Sequence, residues 1–319
     1  MLFRKYITSI YNLLLPVELI RPYPAIQDRE KWGNIQDEVR GLITKRADRF
    51  KDAHLEPLRG TILLSAIQTG DYSEITRLYS KKTSMLTALS IAECMEDRGS
   101  YLEDILDTVW SICDMAIWFS PDKIVSEKNI LEPIIDSYSA GVGFLLTYVW
   151  YLLKDRFDSI DTNIRTRFKY EVERRIMKPF MESHDQSTAD ILGEVIFPFL
   201  IFEDDYKLRH TAVRKSMEIA DMYEGMNSDG LFRYFEMLYI ASDGVFDEMC
   251  ECTDSLSDIS VLQYAYHTGD TGCLDKSYSS LSAKMHIDRI GTDLDLDKSL
   301  FLILNHDLIQ NRFYSSEGT

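Results

Sequence analysis

The chain has 319 residues, 45% of them hydrophobic and 12% aromatic, which is enough to bury a large core and long for one domain, although a single closed helical array uses that length. Lys and Arg number 35 against 52 Asp and Glu, a formal net charge of −17. That balance excludes a general nucleic-acid-binding role, and a polyanionic sugar meets the same repulsion unless a locally positive groove overcomes it.

Residues 1–30 read as an N-terminal extended segment. Basic residues and then apolar ones open it in the manner of a leader. Thr8, Ser9, Tyr11 and Asn12 interrupt the apolar run, and no small-residue cleavage site follows. A proline-punctuated stretch, Arg21–Ile26, leads into a charged helix expected over Trp32–Ala53 and a short one over Gly60–Gly70. A long helix follows over Tyr72–Arg98, with Gly99 as its terminator.

The next helix runs to Pro121, with Ser100 as its cap and Glu103 and Asp104 in its first turn, where negative charge suits free backbone N–H groups. Apolar residues recur at Ile105, Val109, Ile112, Cys113 and Ala116. Trp110 and Trp118 lie in this region and carry two readings: core packing, or indole faces that stack on sugar rings along a groove. Ile134–Leu153 is almost wholly apolar and about as long as a bilayer span, but it carries Asp136. It reads as a helix buried on nearly all sides, and no membrane span is expected.

Ser159–Lys178 repeats Ile160, Ile164, Phe168, Val172 and Ile176 every fourth residue, an amphipathic helix that Pro179 closes. Further helices are expected at Ser187–Phe202, Lys207–Tyr223, Leu231–Ala241, Ser257–His267, Thr271–Met285 and Lys298–Leu304. Strand signals are weak throughout. A buried helix alternating with an amphipathic one points to an all-α layered array, as in helical toroids and solenoids.

The five cysteines, Cys94, Cys113, Cys250, Cys252 and Cys273, are odd in number and share no spacing, so free thiols in a reducing, cytoplasmic compartment are expected. Cys250 and Cys252 lack a CxxC spacing and a second ligand pair, and no metal site is expected there. Asp293, Asp295 and Asp297 have the spacing of a calcium loop without its glycine and closing glutamate, and read as a solvated turn. No phosphate-binding loop, nucleophile elbow or dinucleotide fingerprint is present, and no cofactor is expected.

Ala92-Glu93-Cys94, the Gly99 turn and then Tyr101-Leu102 through Ile105 to Trp110-Ser111-Ile112-Cys113 resemble a pattern of the heparinase II/III-like polysaccharide lyases. The apolar helix at Ile134–Leu153 and the paired Arg174-Arg175 before Pro179 continue the likeness, which covers about Tyr72 to Pro179. It implies an (α/α) toroid of alternating inner and outer antiparallel helices, occupying residues 1–319 as one domain without the family's C-terminal β-sheet domain. It also implies cleavage of uronic-acid polysaccharides by β-elimination. That reaction needs a group to neutralise the uronate, a base for the proton beside it and an acid for the leaving oxygen.

Four family elements are altered in this chain. The loop after the Trp-Ile-Cys helix reads Pro121-Asp122-Lys123 without a histidine, and Ala140-Gly141-Val142 stands where the family has Ala-Glu-Thr. The stretch Ser187–Phe197 has neither the asparagine nor the tryptophan expected there, and the aspartate-glycine element is reduced to Asp229-Gly230 with Tyr234 nearby. The resemblance leaves Tyr234 and His184 as candidate acid/base groups, with Tyr239 as the rival of Tyr234. Trp118, Lys123, Arg233 and Tyr239 remain as candidate substrate-binding residues. Tyr264, Tyr266 and His267 before Gly269 form a further polar-aromatic group at a helix end. Three readings stand: a toroid that has lost lyase chemistry and binds a polysaccharide or oligosaccharide, an active lyase with a rearranged site, and a structural or protein-interaction domain. The oligomeric state is open.

Overall fold

A computed structural model describes residues 2–124, 132–183, 189–223, 229–246, 258–269 and 296–304. Every regular element among the described residues is helical. The N-terminal thirty residues are not simply extended: they carry α1 (Leu2–Tyr6), α2 (Ile10–Leu13) and a 3-10 turn at Val17–Leu19. Tyr6, Ile10 and Leu14 recur every fourth residue, and that apolar face is buried. His210 Nε2 lies 3.0 Å from the Ile10 carbonyl, and the Leu15 N–H donates to the Ala241 carbonyl at 2.8 Å.

The expected helix over Trp32–Ala53 is two helices, α3 (Arg29–Gly33) and α4 (Asp37–Asp48), broken where Gln36 adopts an extended backbone. After α5 (Gly60–Thr69), Gly70 takes a left-handed conformation (φ 71°) and ends the helix as expected. The long helix α6 (Ser73–Glu96) stops two residues before Gly99, on Asp97 at φ 53°. Three arginines distant in sequence hold that end. Arg29 donates to the carbonyls of Cys94 (2.7 Å) and Met95 (2.9 Å), Arg40 donates to Met95, and Arg156 donates to the Asp97 carboxylate. Cations and donors at a helix C-terminus meet its free carbonyls and its negative dipole end.

Helix α7 (Leu102–Cys113) is shorter than expected at both ends, and its cap is not Ser100. Beyond Cys113 the chain leaves the helix because its carbonyls find another donor: Arg175 reaches those of Met115 (2.8 Å) and Ala116 (3.3 Å). Pro121 starts a 3-10 turn, Pro121–Ile124. Helix α8 (Ser137–Ile160) begins one turn later than the apolar pattern suggests. The single acidic residue there, Asp136, is its N-cap: Ser139 N–H donates to Oδ1 at 3.0 Å while the Asp136 N–H donates to Ser139 Oγ at 2.9 Å. No helix of the described residues is long and apolar enough to cross a membrane.

Helix α9 (Asn163–Val172) passes through a π turn, Glu173–Met177, into α10 (Lys178–Glu182). Pro179 therefore does not close the helix. It lies in the first turn of α10, where its missing N–H is tolerated, and the turn before it opens to the wider π form. The remaining helices are α11 (Leu192–Phe202), with Pro198 inside it, α12 (Tyr206–Met222), α13 (Asp229–Ala241), α14 (Asp258–Thr268) and α15 (Leu296–Leu304). The helix expected over Thr271–Met285 lies outside the described residues.

In space, α6 packs on α8, α8 on α11, α11 on α13 and α13 on α14; α15 also meets α8. The helices between them in sequence lie alongside this row: α7 against α6, α9 against α8 and α12 against α11. Burial follows the same division. Nearly all of α11 and the first two-thirds of α8 are enclosed, whereas α7, α9 and α12 keep one face in solvent. Gly143 lets the π turn approach α8, since a Cβ there would lie 2.7 Å from Ile176 Cγ1. Gly193 similarly lets α11 close on the backbone of Arg233 and Tyr234.

Candidate functional site

Each predicted site residue that falls within the described part is engaged by different neighbours. Tyr234 on α13 is 0% exposed, and its hydroxyl lies 2.9 Å from Ser216 Oγ on α12. Burial pushes that phenol well above its ordinary range, partly opposed by the Ser216 bond, so it holds its proton and faces no solvent. Arg233 forms a closely packed ion pair with Glu194 on α11, and its guanidinium lies 5.1 Å from the Phe144 ring centroid on α8. It clamps three helices together. Tyr239 packs beside Phe232 and Tyr264, against Gly244.

Trp118 is enclosed. Its Nε1–H donates to the Ile112 carbonyl at 3.0 Å, Arg175 lies 4.7 Å from its ring centroid, and the space beside it amounts to about 10 Å³, the lower limit for one water. No sugar face reaches it there. Lys123 Nζ lies 3.5 Å from Asp136 Oδ2, the same oxygen that accepts the Ser120 N–H at 2.8 Å, so the lysine braces the cap of α8. His184, Cys250, Cys252, Cys273, Asp293, Asp295 and Asp297 lie outside the described residues.

The fold assembles a polar group that the sequence shows only in part. His267 on α14 lies with Nε2 2.9 Å from Glu236 Oε1 on α13, and their side chains are 8% and 1% exposed. Tyr23, from the N-terminal segment, stacks on Tyr266 with centroids 5.4 Å apart and lies 5.6 Å from His267. The Tyr266-His267 pair is legible in the chain; Glu236 is not, because nothing in its neighbourhood marks it. The one available signal is its position three residues after Arg233, which places both on one face of α13. Among the described residues no group of three or more His, Cys, Asp and Glu side chains is arranged to hold a metal ion.

A solvent-open groove lies elsewhere, between α7 and the connection from α4 to α5. Its walls include His54, Leu55, Asp107, Trp110, Ser111 and Asp114, and it encloses about 510 Å³, within the range of small-ligand clefts. Trp110 is 39% exposed, unlike the residues two and three positions later, Ile112 and Cys113, which are buried. The amphipathic stripe of α7 explains the difference: its apolar face turns to α6, and Trp110 falls outside that face. Arg167 lies 5.9 Å from the indole centroid and donates to the Asp114 carboxylate. The groove thus offers an aromatic plane bordered by hydroxyl, imidazole and carboxylate groups. Those are the elements that stack on a pyranose C–H face and bond its hydroxyls. A scan against protein-family models and a search of curated proteins both find no match to this chain.

Proposed function

We propose that this protein is a heparinase-like (α/α) toroid that has lost β-elimination chemistry and binds an oligosaccharide or polysaccharide along the Trp110 groove. The observation that carries the reading is Trp110 itself: a half-exposed indole on a regular helix, in a cleft with polar groups on both sides. The alternation of buried and half-exposed helices supports the toroid, as does the contact of α15 back to α8. The loss of lyase chemistry rests on Tyr234, whose hydroxyl is enclosed against Ser216. An acid catalyst must reach the proton it delivers, directly or through one water.

The test pairs a binding measurement with an activity measurement. The purified chain is titrated with a panel of neutral, uronate and amino oligosaccharides by calorimetry and tryptophan fluorescence, and incubated with uronic-acid polysaccharides while the ultraviolet absorbance of an unsaturated product is followed. Binding that falls at least tenfold in Trp110→Ala, with no absorbance rise, is the expected result. Turnover that disappears in Tyr234→Phe overturns the loss of chemistry. Binding unchanged by Trp110→Ala, or none to any glycan, overturns the groove.

A further inference from the structure

We infer that the groove is selective for a cationic saccharide, an oligosaccharide bearing free amino groups; this rests on the saccharide-binding reading above. A second cleft of about 430 Å³ adjoins the first, with Ala53, Leu55 and Asp107 in the walls of both, and the two clefts together are the proposed channel. The indole and the channel define the site, and the charged groups along it select the occupant. Glu103, Asp107 and Trp110 on α7, and its C-cap Asp114, fall at successive turns along one face, a stripe about 16 Å long at the helical rise. Asp104 stands beside this stripe and Asp52 opposite, its N–H bonded to Asp104 Oδ1 at 2.9 Å.

Five carboxylates therefore line the channel, and Lys51 is the one lysine or arginine among its lining residues. Asp114 has a cationic partner in Arg167, whereas Asp52, Glu103 and Asp107 make no ion pair among the described residues. Unpaired acidic groups along a concave wall raise the local concentration of cations and repel anions. A uronate chain meets repulsion at every one of these positions. A neutral sugar gains stacking and neutral hydrogen bonds from its hydroxyls, and an amino sugar adds charge-assisted hydrogen bonds to the carboxylates on either side of Trp110.

The experiment compares three ligands of equal length by calorimetry in the presence of a chelator, so that a bridging divalent cation does not stand in for the amine. They are a β-1,4-linked glucosamine oligomer, its N-acetylated counterpart and a uronate oligomer. The expected order is amino above N-acetylated by about tenfold or more, with uronate unbound, and the amino preference shrinking between low and physiological salt. The double variant Glu103→Gln, Asp107→Asn, at two exposed positions, abolishes the amino preference, so that both ligands bind the variant with equal affinity. Equal binding of amino and N-acetylated oligomers, or preference for the uronate, overturns the inference and leaves the saccharide reading standing. Failure of all three to bind overturns the reading beneath it. An amino preference that survives the double variant overturns the assignment to this channel.

Discussion

Glu93 is the residue on which the start of α7 depends. It is fully buried, and its two oxygens accept the N–H groups of Gly99 (2.7 Å) and Tyr101 (3.1 Å), which have no helical partner of their own. The sequence places Ser100 in the capping position, but the capping residue lies on the preceding helix. Glu93→Ala strands the buried Tyr101 donor and the part-buried Gly99 donor, and a loss of about 2–4 kcal/mol is expected from urea unfolding. Asp136 makes a similar contribution to α8, accepting from Ser139 and Ser120. Asp136→Ala is expected to cost about 1–2 kcal/mol. Lys123→Ala, which removes a half-exposed ion pair with Asp136, is expected to cost less than about 1 kcal/mol by the same measurement.

At the scale of elements, the π turn carries the ion pair that holds the chain beyond α7. Arg175 donates to Glu171 at 2.9 Å and to the carbonyls of residues 115 and 116. Burial alone would raise the Glu171 carboxyl, but hydrogen bonds from Arg175 and Arg174 outweigh it and hold it below the ordinary carboxylate range. A depressed carboxyl stabilises the fold above the ordinary range and loses that contribution as pH falls through it. The melting temperature of the native protein is thus expected to exceed that of Glu171→Gln at neutral pH. The difference should shrink between about pH 5 and about pH 3. Close approach of helices provides a second test. A Cβ at Gly193 would lie 2.8 Å from both the Arg233 carbonyl carbon and the Tyr234 nitrogen, backbone atoms that cannot rotate away. Gly193→Ala is expected to destabilise by about 1–3 kcal/mol in thermal unfolding, by pushing α11 off α13.

For the whole molecule the excess of acidic residues is the dominant fact: at a net charge of −17, mutual repulsion opposes the compact state. Raising salt from about 20 to about 200 mM shortens the screening length and is expected to raise the melting temperature; a fall would show that ion pairs such as Arg165–Asp204 outweigh the repulsion. The helical class, the positions of α5, α6 and α12 and the alternation of enclosed with half-exposed helices are legible in the chain. Periodicity depends on which residues face the core, and that is written in local spacing. Helix ends are less so, because Arg29, Arg40, Glu93 and Arg175 cap or compete for backbone groups from helices far away in sequence. The same limit governs the site. Sequence alone determined that the chain is acidic and that Trp110 lies on a helix, while it placed Trp118 on that same helix, which the structure ends at Cys113. Only the tertiary structure decided that Trp118 is sealed under Arg175 while Trp110 faces an open groove, and that Glu236 meets His267, since exposure and pairing depend on which other helix covers each face.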